Sequence, residues 1–153
     1  MTGTVIGIAR HRVAKGPMEV VDRIGVTLDG GLEGDFRGRL KPGGRGRRQV
    51  TLMESGDWAA ALAEIDRDIP WQERRVNLLV EGFDLPKTPG TLLRIGADVV
   101  LAITIECDPC YRMDAIAPGL QAALATDWRG GACTRVKTGG TIGVGDQIRI
   151  EEA

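Results

Sequence analysis

Cys107 and Cys110 stand three positions apart, with Pro109 between them, in the run Glu-Cys-Asp-Pro-Cys-Tyr-Arg. The chain has three cysteines, and these two follow the apolar run Val-Val-Leu-Ala-Ile-Thr-Ile at 99–105. Two soft sulfur atoms are thereby expected at the mouth of a strand. A thiolate there can hold a soft metal, carry sulfur or attack an electrophile. Four readings compete. A structural zinc site needs four ligands and would consume Cys107, Cys110, Cys133 and His11, every candidate in the chain. A thioredoxin-type redox pair opens a helix, and the expected helix starts only at Pro118, eight residues after Cys110. Inert buried cysteines are common. The fourth reading is one reactive thiolate with a helper, and Arg112 would favour its ionised form.

A second constellation runs from Arg37 to Arg48. Six basic residues fall within these twelve positions (Arg37, Arg39, Lys41, Arg45, Arg47 and Arg48), with glycines interleaved. Glycine lets backbone N–H groups approach an anion, and arginine forks match phosphate oxygens in pairs. A solvated mobile loop is the plainer account of such a segment. The Gly-Lys-Ser/Thr ending of a Walker loop is missing. Asp35, Asn77, Asp108 and Asp114 could each orient a ligand, although such residues more often serve turns and caps. His11, the only histidine, follows the first expected strand and is read as exposed, able to donate to a phosphate if it lies at a barrel mouth.

The elements that must position these residues are mostly short strands. The 22 glycines punctuate β-rich runs at 4–9, 25–28, 49–53, 76–80, 91–95, 99–105, 134–137 and 147–150. This pattern predicts a mainly β fold, a closed or nearly closed barrel with two or three short helices. Gly90-Thr-Leu-Leu-Arg-Ile-Gly-Ala-Asp and Gly140-Thr-Ile-Gly-Val-Gly-Asp each read as a strand, a tight turn and a further strand. Helices are expected over 54–66, with Ser55 as its cap, and over 118–127, with Pro118 in its first turn. Pro70 should open one short extra turn before Asn77. No composition shift marks a boundary, so residues 1–153 are expected to form one domain.

Charge is uneven. Residues 1–50 hold ten Lys/Arg against five Asp/Glu, and residues 51–153 hold ten against sixteen. The first third therefore suits an anionic partner. With aromatic residues at 4%, stacking platforms for nucleic acid are few, and a small phosphorylated ligand is the better expectation. No apolar run is long enough to span a membrane. The sequence start lacks a signal-peptide pattern and the cysteine count is odd, which points to a reducing cytoplasm.

Taken in order, the segments resemble the MOSC domain family, the C-terminal domain of molybdenum cofactor sulfurases. The pieces are Gly31-Leu-Glu-Gly-Asp, Arg48-Gln-Val-Thr-Leu-Met-Glu, Arg75-Val-Asn-Leu-Leu-Val-Glu-Gly-Phe-Asp-Leu, Gly90-Thr-Leu-Leu-Arg-Ile-Gly, Pro109-Cys110 and Gly139-Gly-Thr-Ile-Gly-Val-Gly-Asp-Gln-Ile. Each is weak alone; their order is specific. The resemblance implies a β-barrel and a cysteine that accepts sulfur as a persulfide or ligates molybdenum. It also implies a molybdopterin cofactor and, as in related amidoxime-reducing components, reduction of N-hydroxylated compounds. Carried over, Cys110 is the molybdenum ligand or sulfur carrier, with Cys107 as second candidate. The cofactor, a phosphorylated pterin, would meet Arg37, Arg39, Arg45, Arg47 and Arg48, with Asn77, Arg112 and His11 nearby. Electrons would come from a redox partner. A persulfide would come from a separate cysteine desulfurase, which would carry the pyridoxal phosphate. The family often has His after the Gly-Asp pair, where this chain has Phe36.

Overall fold

A computed structural model describes residues 2–152. Eleven strands run in chain order: β1 Thr2–Arg10, β2 Glu19–Val21, β3 Arg23–Thr27, β4 Gly31–Leu32, β5 Val50–Glu54, β6 Leu78–Glu81, β7 Leu92–Ile95, β8 Val99–Glu106, β9 Ala132–Thr138, β10 Gly140–Gly143 and β11 Gln147–Ile150. Three helices join them: α1 Ser55–Glu64, α2 Arg112–Ile116 and α3 Leu120–Ala125. Strand order β11-β7-β8-β9-β5-β6-β1 is closed by a β1–β11 pairing, which makes a seven-stranded barrel. Closure leaves no free edge within the ring. β2 flanges β1, and β3, β4 and β10 form a separate three-stranded sheet. Every pairing in the ring is antiparallel except β5–β6, where α1 makes the crossover that a parallel pair requires.

Alternation along the strands sorts side chains between two cores. Val5, Leu52, Leu78, Val80, Leu101, Ile103 and Val136 fill the barrel. Met53, Leu79 and Cys133 point outward instead, and α1, α2 and α3 cover them with Trp58, Leu62, Met113, Leu120 and Leu124. The register of β8 against β9 shifts between Ile103 and Ile105. Without that shift Cys107 would share the inward parity of Leu101 and Ile103; with it, Cys107 joins the outer core.

The expected barrel is present, and the helices correct three readings. Ser55 is the first residue of α1 rather than its cap; Glu54 holds the cap position without a side-chain cap bond. α3 starts at Leu120, because Gly119 at φ +88° breaks the path from Pro118. α2 begins two residues after Cys110, where no helix was expected. The turn after Pro70 is confirmed as a 3₁₀ turn, Trp71–Arg74. No helix among the described residues is long and apolar enough to cross a membrane.

Candidate functional site

The loop between β8 and α2 carries both cysteines of the pair, and it divides them. Cys107 is 2% exposed and belongs to the outer core, whereas Cys110 is exposed. The chain is held here by Cys107 N–H donating to Gly131 O at 2.8 Å. Gly131 has φ +104°, and a side chain there would collide with Leu52 O. A Cβ on Gly130 would come within 2.7 Å of Cys107 O and 2.9 Å of an Arg74 nitrogen. The two glycines therefore make room for a guanidinium group beneath the cysteine loop.

That group is Arg74, which sequence reasoning missed. It ends the 3₁₀ turn and is 5% exposed. Its Nη2 donates to Cys107 O at 2.8 Å, to Gly130 O at 2.9 Å and toward Cys107 Sγ at 3.6 Å. Arg48 reaches the same sulfur at 3.8 Å. Arg74 Nε has no partner, and no carboxylate lies within ion-pairing distance among the described residues. The group that faces this buried cation is the Cys107 sulfur, which the cation draws toward its ionised form. A hydrogen bond from the Cys133 thiol, reinforced by Arg74 and Arg48, overcomes burial and holds the Cys107 thiol below its ordinary range. The same interaction, with burial, drives Cys133 upward, so Cys133 keeps its proton. The signal was present in Glu73-Arg74-Arg75, three charged residues separated from the apolar strand β6 only by Val76 and Asn77.

Cys110 lines a cavity of about 180 Å³ with Arg37, Arg48, Arg74, Arg75, Arg112 and Asp108. None of these five arginines forms an ion pair with a carboxylate among the described residues. Partial desolvation and then the charges of Arg48 and Arg75 lower Arg37 from its usual value, a measure of how crowded the cations are. Arg37 and Arg112 also line a larger neighbouring cavity of about 530 Å³ with His11, Lys15, Arg39 and Lys41. Arg45 and Arg47 line a third groove of about 260 Å³, which shares Arg37, Arg39 and Lys41 with the larger cavity. The loop is tied to the barrel because Thr104 Oγ1, at the β8 register shift, donates to the carbonyls of Arg47 and Cys133.

Asn77 and His11 are both buried, where the sequence reading had His11 exposed. Asn77 is 5% exposed, and its amide is spent on the fold. Oδ1 accepts from Thr51 N–H at 3.0 Å and Thr51 Oγ1 at 3.2 Å, and Nδ2 donates to Ala9 O at 3.1 Å and Asp35 Oδ2 at 3.3 Å. It braces β1, β5 and the Asp35 turn rather than facing a cavity. His11 is buried rather than exposed, at 4%, against Asp35 and the ring of Phe36. The residues of the four-ligand zinc alternative form no cluster: no group of three or more His, Cys, Asp or Glu converges among the described residues. The redox pair regains the following helix that the sequence denied it, but its two sulfurs differ in exposure.

Comparisons with known proteins agree with this fold. A family model described as MOSC domain matches residues 30–149. The crystal structure of the YuaD protein from Bacillus subtilis is similar at TM-score 0.82 and 19% identity, over 100% of this chain and 97% of that one. YiiM from Escherichia coli is similar at TM-score 0.70 and 15% identity, over 100% of this chain and 71% of that one. YiiM from Geobacillus stearothermophilus gives TM-score 0.65 and 14% identity, over 98% and 73%. No match was found among curated proteins.

Proposed function

The chain belongs to the MOSC domain family, and on that premise we propose that it binds the molybdenum cofactor with Cys110 as ligand to the metal and reduces N-hydroxylated compounds. The family is associated with molybdenum cofactor binding. The observation that carries the reading is an exposed thiol lining a cavity in which five arginines outnumber one carboxylate, Asp108, and form no ion pair among the described residues. A cationic cluster of this kind is costly unless an anion completes it. The orphaned Nε of buried Arg74 is in keeping with an incomplete site, and a soft sulfur donor suits molybdenum.

In this reading Arg37 and Arg112, shared by two cavities, would hold the phosphate-bearing part of the ligand. Arg39 and Lys41 extend that grip into the larger cavity, and Arg45, Arg47 and Arg48 raise the local potential that draws the anion in. Arg74 ties the cysteine loop, at Cys107 O, to the segment before β9, at Gly130 O, fixing the base from which Cys110 projects. When bound, the cofactor supplies the two-electron chemistry that turns an N-hydroxyl group, with two protons, into N–H and water. Electrons come from a separate redox protein.

Metal analysis of protein produced in a molybdenum-replete host tests the reading. Stoichiometric molybdenum is expected in the native chain and none in Cys110→Ala. Protein free of molybdenum from a host competent in cofactor synthesis would overturn it. A persulfide on Cys110 without metal would instead make the chain a sulfur carrier, a role that the exposure of Cys110 also permits.

A further inference from the structure

His11 is the only side chain lining the 530 Å³ cavity that can change charge near neutral pH. It follows β1 directly. Its backbone N–H donates to Asp35 Oδ1 at 3.1 Å, and its ring Nδ1 lies 3.5 Å from the same oxygen. Asp35 is 2% exposed, and Asn77 Nδ2 holds its other oxygen at 3.3 Å. The carboxylate is therefore held on both oxygens. It has no Lys or Arg ion pair, and His11 Nδ1 has no hydrogen bond, both among the described residues. A closure of a few tenths of an ångström would give the unpartnered Nδ1 a hydrogen bond to a buried carboxylate that already accepts two. With Nδ1 turned toward Asp35, Nε2 is the ring nitrogen left for the cavity.

We infer that the His11–Asp35 pair is a proton-accepting part of the ligand site: when a phosphate-bearing anion enters among Lys15, Arg37, Arg39, Lys41 and Arg112, a proton from solvent settles on His11. The inference rests on the reading of the basic cavity as an anion site. Its physical basis is a balance of opposing influences on the ring. Burial is the largest and disfavours the imidazolium, Asp35 favours it, and Arg75 and then Arg37 disfavour it. An anion in this cavity offsets the Arg37 charge and adds its own attraction for the imidazolium to that of Asp35, against burial and Arg75. The imidazolium then donates from Nδ1 to Asp35 and offers Nε2–H to the anion. Reciprocity requires that the proton tighten the anion by the same factor as the anion tightens the proton.

The single histidine makes a proton NMR titration unambiguous. Sulfate is the probe, because it stays a dianion from pH 5.5 to 9. At constant ionic strength, saturating sulfate should raise the His11 midpoint by about one pH unit, and sulfate affinity should tighten about tenfold from the alkaline to the acid end, an ordinary coupling. His11→Gln should still bind sulfate, with the pH dependence flattened. A midpoint unmoved while arginine signals report bound sulfate would overturn the inference and leave the anion site standing. Absence of any sulfate response would overturn both.

Discussion

The inside of the barrel and the face under the three helices are lined by alternate residues of the same strands, yet their contents differ in kind. Leu52, Leu78, Leu101 and Ile103 fill the ring with hydrocarbon. Met53, Leu79, Cys133, Cys107 and Met113 cover the other face, with buried Arg74 against them. A closed ring cannot admit a guanidinium without stranding its charge. A face closed only by short helices and a loop can admit one, because carbonyls and a thiolate turn toward it. The comparison teaches that here the barrel supplies rigidity and its helical cover supplies chemistry.

The largest expected effect tests the first half of that statement. Leu101→Ala in the ring should cost about 2–5 kcal/mol in chemical denaturation, with the thiol reactivity of the surviving native protein unchanged. Arg74→Met acts on the other face. It leaves Cys107 O and Gly130 O unpaired but also removes a buried cation, so a smaller loss of about 1–3 kcal/mol is expected. Slower thiolate capture at Cys107 near neutral pH, measured by alkylation and mass spectrometry under mild denaturation, should accompany it. A loss as large as that of Leu101→Ala would erase the distinction between the two cores.

Two smaller predictions concern pH and have opposite signs. The Cys107 thiol is held down to about 6, below its ordinary 9.0, so it adds stability above the unfolded value and loses it as pH falls through 6. The melting temperature of the native chain relative to Cys107→Ser should therefore rise between pH 6 and 9. Glu54, at the start of α1, is pushed up to about 7, first by burial and then by the charge of Asp57. A raised carboxyl is worth most below its unfolded value of 4.5, and its contribution fades as pH rises to 7. Native protein relative to Glu54→Gln should therefore melt lower at pH 7.5 than at pH 5, by a margin smaller than the Cys107 effect. Equal slopes in the two comparisons would contradict the assigned charges.

The strands were legible because alternation and glycine punctuation are local signals. Gln147–Ile150 was read at its observed limits, and Val99–Ile105 falls one residue short of β8. Glu19–Val21 and Gly31–Leu32 were not read, since two or three residues display no period. Arg112–Ile116 was hidden for the same reason. At the site, Cys110 and the arginine run were visible as types and spacing. Arg74 was not, because a buried arginine is recognised by what folds over it, and Gly130 lies 56 residues away. The brace formed by Asn77 likewise depends on Ala9, 68 residues distant.

The register shift at Thr104 has a further consequence. It decides which way the residues after it face, and the Thr104 hydroxyl also fastens the backbone of the basic loop to β9. The face on which Cys107 lies is thus written as a count of residues along one strand. Deleting Thr104 would keep every cysteine and arginine of the cavity and yet turn the loop over, so in this fold an alteration of length alone can silence the site.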